Sequence, residues 1–567
     1  MTLNPTPGIT SGLYEKIIND PIHGHIRLDE VCIAVIDTPQ FQRLRDLKQL
    51  GSAYYVFPGG SHNRFEHSIG VCHLAGKLVE HLRSLQPELG ITDSDVKCVK
   101  IAGLCHDLGH GPFSHIFDNE FMPRARPDLK WTHEKASEDM LEYMVQENPE
   151  VASRISAEEL RFIKDLIHGQ ARGSYPQAQK RFLFDIVANK RNSVDVDKYD
   201  YIQRDCYHVG VKSSMDTNRL IMVSRVVDNE ICYNQKDVMN MYELFHTRYS
   251  LFKRVYTHKV GKAVEYMVTD LLLAADSHYQ IAASVDDMSK YIHITDCLLR
   301  EIERSTSPDL AKAREILLRL RKRDLYRCAD MILWPAPRVE ERWKKDVITV
   351  EKIVERQGEG DGLVEGDVIV EWLKLNYAMG TSNPVDSINF FNKWDMTRKY
   401  RIPREHVSVM IPTIFEETVL RVFTRIDTKR KAVQSAFRRL IAEINDDPIL
   451  LQELGGSIDT WSSTPTSSNF PLDSYSSDED EERGVKRKRG NGGESVPVTP
   501  VRGSNGNGNG NGMGREQVTP TRIPGVPILH RSPSGGIMLE TSEGQTLPGN
   551  YHEISSPARK KATSRLG

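Results

Sequence analysis

A mainly α-helical fold, with a smaller C-terminal α/β lobe and a disordered tail, is what the amino-acid sequence predicts. Three observations carry the prediction. Apolar residues recur at three- and four-residue spacing from Tyr14 to about Arg323. Val and Ile gather in short runs after Leu325. Beyond Gly455 apolar residues become too sparse to offset the entropy of ordering the chain. At 567 residues the chain has room for two or three domains, taking roughly 150 residues for each.

The elements follow in order. Residues 1–13 are rich in Pro, Gly and Thr and read as a disordered lead. The body, 14–324, holds helical patterns over Ile69 to Leu82, Val96 to Leu104 and Val238 to Leu273. Asp237 to His278 contains no proline and fits one or two long helices. The lobe, 325–455, opens with DVITVEKIVE and GDVIVEWLKLNYAMG, separated by the turn-forming GEGDG, and this predicts a strand pair. Helices are expected around Thr413 to Arg425 and Lys431 to Ile444. The tail, 456–567, carries an acidic run (Asp478 to Glu482), the basic KRKR (Lys486 to Arg489) and an Asn-Gly repeat (Asn505 to Gly512).

Bulk properties exclude several classes. A formal net charge of −3 does not advertise a nucleic-acid or membrane partner. The 8 cysteines stand singly, with no CxxC pair, which fits reduced thiols rather than a disulfide framework. No signal-peptide core and no apolar run of about 18 residues is present. The expectation is a soluble intracellular protein.

Four residues stand out as metal ligands: His67 in RFEHSIG, His106 and Asp107 in CHDLGHGPFSH, and Asp197 in DVDKYDYIQRD. Two imidazoles and two carboxylates suit a divalent ion such as iron, zinc or manganese. Around an octahedral ion they leave open positions for water and a phosphate oxygen. A metal lowers the pKa of water from about 15.7 to about 7, so phosphate-ester cleavage is the natural reaction class. His106 and His110 are four apart and would share a face if helical, while Gly109, Gly111 and Pro112 would leave His115 on a turn. A histidine near the metal but not on it can serve as general acid or base, or can only orient a ligand. Asp197, Tyr201 and Asp205 recur every fourth residue, as do Arg248, Phe252 and Tyr256, and Lys198 sits beside the ligand. Such rows can line a phosphate and sugar site, or can be solvated helix faces.

Longer motifs narrow the reading. NDPIHGHI (Asn19 to Ile26), DTPQFQRLRDLKQLG (Asp37 to Gly51), FPGGSHNRFEHSIGV (Phe57 to Val71), AGLCHDLGHGPFSH (Ala102 to His115), KWTHE (Lys130 to Glu134) and NKRNSVDVDKYDY (Asn189 to Tyr201) occur in order. The chain resembles, from about Tyr14 to about Thr428, the HD-domain deoxynucleoside triphosphate triphosphohydrolases of vertebrate type, in which a sterile-alpha-motif domain precedes the HD domain. Too few residues precede Tyr14 for that domain, so none is expected. The resemblance implies attack at the α-phosphorus, releasing deoxynucleoside and triphosphate. It implies His67, His106, Asp107 and Asp197 as ligands of iron, zinc or manganese, and magnesium with the nucleotide. His115 would be the general acid, with His110, Asp118, His133 and Glu134 around it. Arg64, Lys198, Tyr201 and Arg248 would hold the triphosphate, and Gln49, Leu50, Asp205 and Tyr256 would read the deoxyribose.

The resemblance also implies activation by GTP and dNTPs between subunits, with homotetramer assembly. Asp37, Gln42 and Arg45 would read guanine, with Lys16 and Asn19 nearby; Val56, Arg219, Lys236, Asn240, His258 and Lys259 would meet a second activating nucleotide. Phe252, Thr257 and Asn234 depart from the family pattern, where His, Gln and Arg are expected. In the tail, Thr499-Pro-Val-Arg, Thr519-Pro-Thr-Arg and Ser556-Pro-Ala-Arg fit a cyclin-dependent-kinase-type site. KRKR and Arg559-Lys560-Lys561 fit nuclear import, so the nucleus is expected, with the cytoplasm as a second location. Single-stranded nucleic acid is a further expected partner. The rival readings are an HD phosphodiesterase or nuclease, and a non-catalytic nucleic-acid-binding HD protein.

Overall fold

Helix ends with written-in caps set the frame. Asn63 and Glu66 form a capping box that starts helix α2 (Arg64–Leu85), and Thr92 and Asp95 do the same for α3 (Asp93–Cys105). The computed structural model describes residues 15–333 and 345–445, with the backbone of three short strands further on. The expected lead over 1–13 lies outside the described residues.

A hairpin of β1 (Lys16–Asp20) and β2 (Gly24–Leu28) comes first, followed by α1 (Glu30–Ile36). The body then packs α2 against α3 and against α6 (Val196–Val209). Between them in sequence lie α4 (His133–Glu147) and α5 (Ala157–His168), and α5 covers α3. Buried Val71, Leu74, Val99, Ile101 and Ile202 fill the contact between these helices. Each contributes roughly 1.5–3 kcal/mol relative to exposure. The hairpin of β3 (Ser224–Val227) and β4 (Glu230–Asn234) leads into α7 (Val238–Leu251). Next comes α8 (Lys259–Tyr279), which packs on α9 (Ala311–Arg321). The proline-free stretch is thus two helices, joined by a π-turn at Phe252–Tyr256; a second π-turn spans Phe117–Phe121. Such turns, bonded i→i+5, are rare and gather at functional sites.

The lobe is an antiparallel sheet in the order β5 (Arg327–Leu333), β8 (Glu416–Thr424), β6 (Val368–Asn376), covered by α10 (Arg430–Asn445). The short strand β7 (Phe390–Phe391) leaves this sheet and pairs in parallel with β4 of the body. Two expectations fail here. DVITVEKIVE forms no strand: Thr349 caps a short helix over Val350–Val354 that buries Ile353 against α10. The helix expected over Thr413 to Arg425 is instead β8, the central strand. Its Val419, Leu420, Val422 and Phe423 sit between two neighbouring strands, and that pairing overrides helical spacing. The helix expected at Lys431 to Ile444 is present as α10. The tail expected over 456–567 lies outside the described residues, apart from β9 (Ile528–Arg531), β10 (Ile537–Glu540) and β11 (Thr546–Pro548), which pair antiparallel in a separate unit. Among the described residues no helix is long and apolar enough to cross a membrane.

Candidate active site

Three helix ends deliver the four expected ligands to one point. His67 lies in the first turn of α2, Asp197 in the first turn of α6, and His106 caps the C terminus of α3 with Asp107 next to it. His67 Nε2 is 3.2 Å from Asp197 Oδ1 and 3.5 Å from Asp107 Oδ2. His106 Nε2 is 3.4 Å from Asp107 Oδ1 and 3.5 Å from Asp197 Oδ1. Both imidazoles use Nδ1 elsewhere, His67 toward Asp200 Oδ2 at 2.8 Å and His106 toward the Gly103 carbonyl at 2.9 Å. That leaves Nε2 of each turned inward, and His106 Nε2 is buried without a hydrogen-bond partner. The donor set and the orphaned nitrogen fit a divalent cation. Burial opposes a charge on His67, but Asp197 and Asp200 outweigh it and push its pKa up to about 10. Asp107 and Asp197 are held well below the carboxylate range against burial, by Arg64 and the histidines for Asp107 and by His106 and His67 for Asp197.

Asp200 was not singled out in the sequence, yet it organises the site. It accepts from His67, from Arg204 Nε and Nη2 at 2.8 Å, and pairs with His23 Nε2 at 2.6 Å. Arg204, fully buried, also reaches Asp20 at 2.8 Å. Gly70, one turn after His67, makes room for this carboxylate: a Cβ there would sit 1.9 Å from Asp200 Oδ1 and 2.5 Å from Arg204 Nη2. Gly70→Ala should therefore lower stability by about 1–3 kcal/mol, measured by denaturant unfolding. An unchanged midpoint would mean that Asp200 yields freely.

A second cluster adjoins the first. His110 Nε2 lies 3.3 Å from Asp107 Oδ1, so one carboxylate serves both groups. The His110 and His133 rings stack at 3.9 Å, and His115 meets both edge-on. Asp118, in the first π-turn, faces all three, with Oδ2 2.7 Å from His133 Nδ1, 3.5 Å from His115 Nδ1 and 3.7 Å from His110 Nδ1. Glu134 Oε1 is 3.7 Å from His133 Nε2. Burial, then Arg64 and His133, keep the His110 pKa well below the usual value; for His133 burial is outweighed by Asp118, which raises it. Of the three histidines only His115 stands open, its side chain 63% exposed. His106 and His110 do not share a helix face, because α3 ends at Cys105. Nor does His115 sit on a turn: it begins the helical segment that runs into the π-turn. Ahead of it Phe113 and Ser114 both take positive φ, 61° and 57°, a strained pair held by Phe113 N to Asp296 and Ser114 Oγ to the Lys48 carbonyl.

The other expected contacts divide into groups. Asp205 accepts from Tyr256 OH at 2.5 Å and pairs with His62 Nε2 at 2.7 Å, and His62 stacks on His208. His62 also went unnoticed in the sequence; it lies within the motif beside Asn63, but it carries no spacing signal. Arg64 is buried and turned onto Asp107 and Ser114. Lys198 is bonded to Asp195 at 3.1 Å, and Arg248 lies over the Phe252 ring at 4.3 Å. Tyr201 is half-buried, Gln49 is buried, and Leu50 packs on the core. Thr257 donates to the Phe252 carbonyl.

Of the expected activator residues, Lys16 and Asp37 meet at 3.8 Å on the surface, and Gln42 accepts from Arg45 Nε at 2.8 Å. Asn19 is on β1 opposite His25. Arg219 pairs with Asp237, and Asn240 bonds both backbone groups of Asp216. Asn234 accepts from Lys236 N. His258 caps α8 beside Lys259, with its ring against Phe57, the neighbour of Val56.

Comparison with known proteins fits this arrangement. Residues 64–203 match the HD domain and residues 215–441 the HD associated region. The chain is 45% identical over 435 residues to a deoxynucleoside triphosphate triphosphohydrolase SAMHD1 homolog of Dictyostelium discoideum, covering 76% of this chain and 82% of that protein. It is 44% identical over 455 residues to deoxynucleoside triphosphate triphosphohydrolase SAMHD1 of Homo sapiens, 74% and 72% of the two chains. A putative HD domain-containing protein of Acanthamoeba polyphaga mimivirus is 29% identical over 460 residues, 75% of this chain and 97% of that protein.

Proposed function

From the premise that this chain belongs to the HD-domain deoxynucleoside triphosphate triphosphohydrolases, we propose that it hydrolyses dNTPs, metal-dependently, to deoxynucleoside and triphosphate. The observation that carries the reading is the convergence of His67, His106, Asp107 and Asp197 beside a histidine cluster that shares Asp107. A divalent cation bound there supplies Lewis acidity toward a phosphoryl oxygen. Iron or zinc suits two imidazoles and two carboxylates, and manganese is the third candidate.

The remaining roles belong to the chain's own side chains. Asp200 and the Gly103 carbonyl fix which nitrogen each histidine turns inward. Asp118 orients His115 and His133, and the open His115 gives a proton to the departing 5′-oxygen. Asp205, held by His62 and Tyr256, reads the sugar with Gln49 and Leu50. Arg64, Tyr201, Lys198 and Arg248 hold the triphosphate with magnesium, and the pairing of Lys198 with Asp195 supports its being charged. The names of the relatives favour this reaction over phosphodiester cleavage or idle nucleic-acid binding.

The finer proposals concern control of dNTP pools. GTP binds at Lys16, Asn19, Asp37, Gln42 and Arg45, and a second nucleotide binds at Val56, Arg219, Lys236, Asn240, His258 and Lys259, joining subunits into a homotetramer. The tail takes phosphate from a cyclin-dependent kinase and directs the protein to the nucleus; single-stranded nucleic acid is a further partner. The decisive experiment incubates purified protein and metal with dATP, with and without GTP, and separates the products. Deoxyadenosine and intact triphosphate are expected. GTP should stimulate without being consumed and shift the protein toward tetramers, and Asp37→Ala should lose that stimulation. Full activity without any guanine nucleotide would remove the activator site from the reading.

A further inference from the structure

Each π-turn carries a residue of the candidate site: Asp118 stands in the first, and Tyr256 ends the second. One buried chain of charges ties both to the small lobe. Glu120, two residues beyond Asp118, meets Lys262 Nζ of α8 at 3.2 Å. Lys262 also pairs with Glu265 and lies 3.5 Å from Glu371 Oε1 on β6. Glu371 Oε2 lies 2.6 Å from Nε of Arg421, its register partner on β8, as an ion pair without the alignment of a hydrogen bond. Arg421 Nη1 then donates at 2.7 Å to the carbonyl of Thr257, which closes the second π-turn. The Lys262, Glu371 and Arg421 side chains are 10%, 7% and 3% exposed.

Apolar residues of similar volume could hold this junction as firmly, because buried ion pairs rarely add net stability. A buried pair can instead fix one arrangement, because a shift that breaks it strands a charge in the interior. Resting on the hydrolysis proposed above, we infer that Lys262, Glu371 and Arg421 are positioning residues: the lobe, through them, sets the histidine-holding Asp118 on one side and the Asp205-holding Tyr256 on the other. Lys262 acts on the acid side through Glu120, and Arg421 acts on the sugar side through Thr257.

The test uses the full chain with its metal, comparing wild type with Lys262→Met, Lys262→Arg and Arg421→Lys. Lys262→Met should keep its metal content by elemental analysis, lose about 10–100-fold in kcat, as misplacement of a reacting group does, and change its pH–kcat profile. Lys262→Arg should recover most of the rate. Arg421→Lys keeps the charge opposite Glu371 but loses the Nη1 donor to the Thr257 carbonyl. It should raise KM for dATP and weaken the preference for dATP over ATP. If Lys262→Met melts earlier yet keeps kcat, KM and pH profile per folded molecule, the residue only stabilises and the inference is wrong. Should Lys262→Met not fold, Arg421→Lys decides alone, and unchanged KM and sugar preference refute the relay. An inactive wild-type chain refutes the hydrolysis itself, and with it any positioning for hydrolysis, before a variant is compared.

Discussion

His106→Ala should abolish dNTP hydrolysis while leaving the fold intact. The separation of the two effects comes from the geometry. His106 Nδ1 bonds only the Gly103 carbonyl one turn back, and its Nε2 makes no hydrogen bond, meeting Asp107 and Asp197 only at 3.4 and 3.5 Å. Its loss removes a metal-facing nitrogen but leaves Asp107 and Asp197 still facing His67. Asp107→Ala should be equally inactive but less stable. Asp107 is the carboxylate against which buried Arg64 rests, and it also faces His67, His106 and His110. Breaking a buried pair from one side costs about 3–5 kcal/mol. Elemental analysis, thermal melting and product chromatography on the two variants read the three quantities separately. Wild-type turnover by His106→Ala at equal metal content would remove the metal assignment.

His115→Ala should behave differently, turning over ~10²–10⁴-fold more slowly, the range for a lost general acid, with metal and dNTP still bound. Its side chain is open to solvent and touches the metal group only through Asp118 and the neighbouring rings. A residue that merely orients a ligand would instead lower metal affinity by about 10–100-fold. Single-turnover rates beside metal content separate these outcomes. If metal and activity fall together, the acid is not His115, and His133, held 2.7 Å from Asp118, becomes the candidate.

What could be read in the chain depended on whether a contact is local. Apolar spacing gave α2 and α3 within about a turn and a half of their observed ends, and the helix expected over Lys431 to Ile444 is α10. The row Asp197, Tyr201, Asp205 lies on one helix as its spacing requires. The lobe misled because Val-rich DVITVEKIVE and the stretch around Val419 each satisfy either period. Only their partners decide, α10 for the first and the flanking strands β5 and β6 for the second. Asp200 and His62 were missed for the same reason. Their importance lies in partners 177, 133 and 143 residues away in sequence, and spacing within one segment carries no trace of that. The end of α3 at Cys105 could have been anticipated from Gly109 and Gly111, whose Cβ positions are filled by Ser137 N and the Phe117 ring.

The π-turns change what a gap means when this chain is set beside its kin. A π-turn holds one residue more than the α-helix around it needs, and each residue turns a helix by roughly 100°. A relative missing a single residue opposite Phe117–Phe121 or Phe252–Tyr256 has therefore not trimmed a loop. It would close the helix into regular α form and aim Asp118 or Tyr256 at a different neighbour. Deleting one residue from either segment should therefore re-aim Asp118 or Tyr256 while shortening no surface connection.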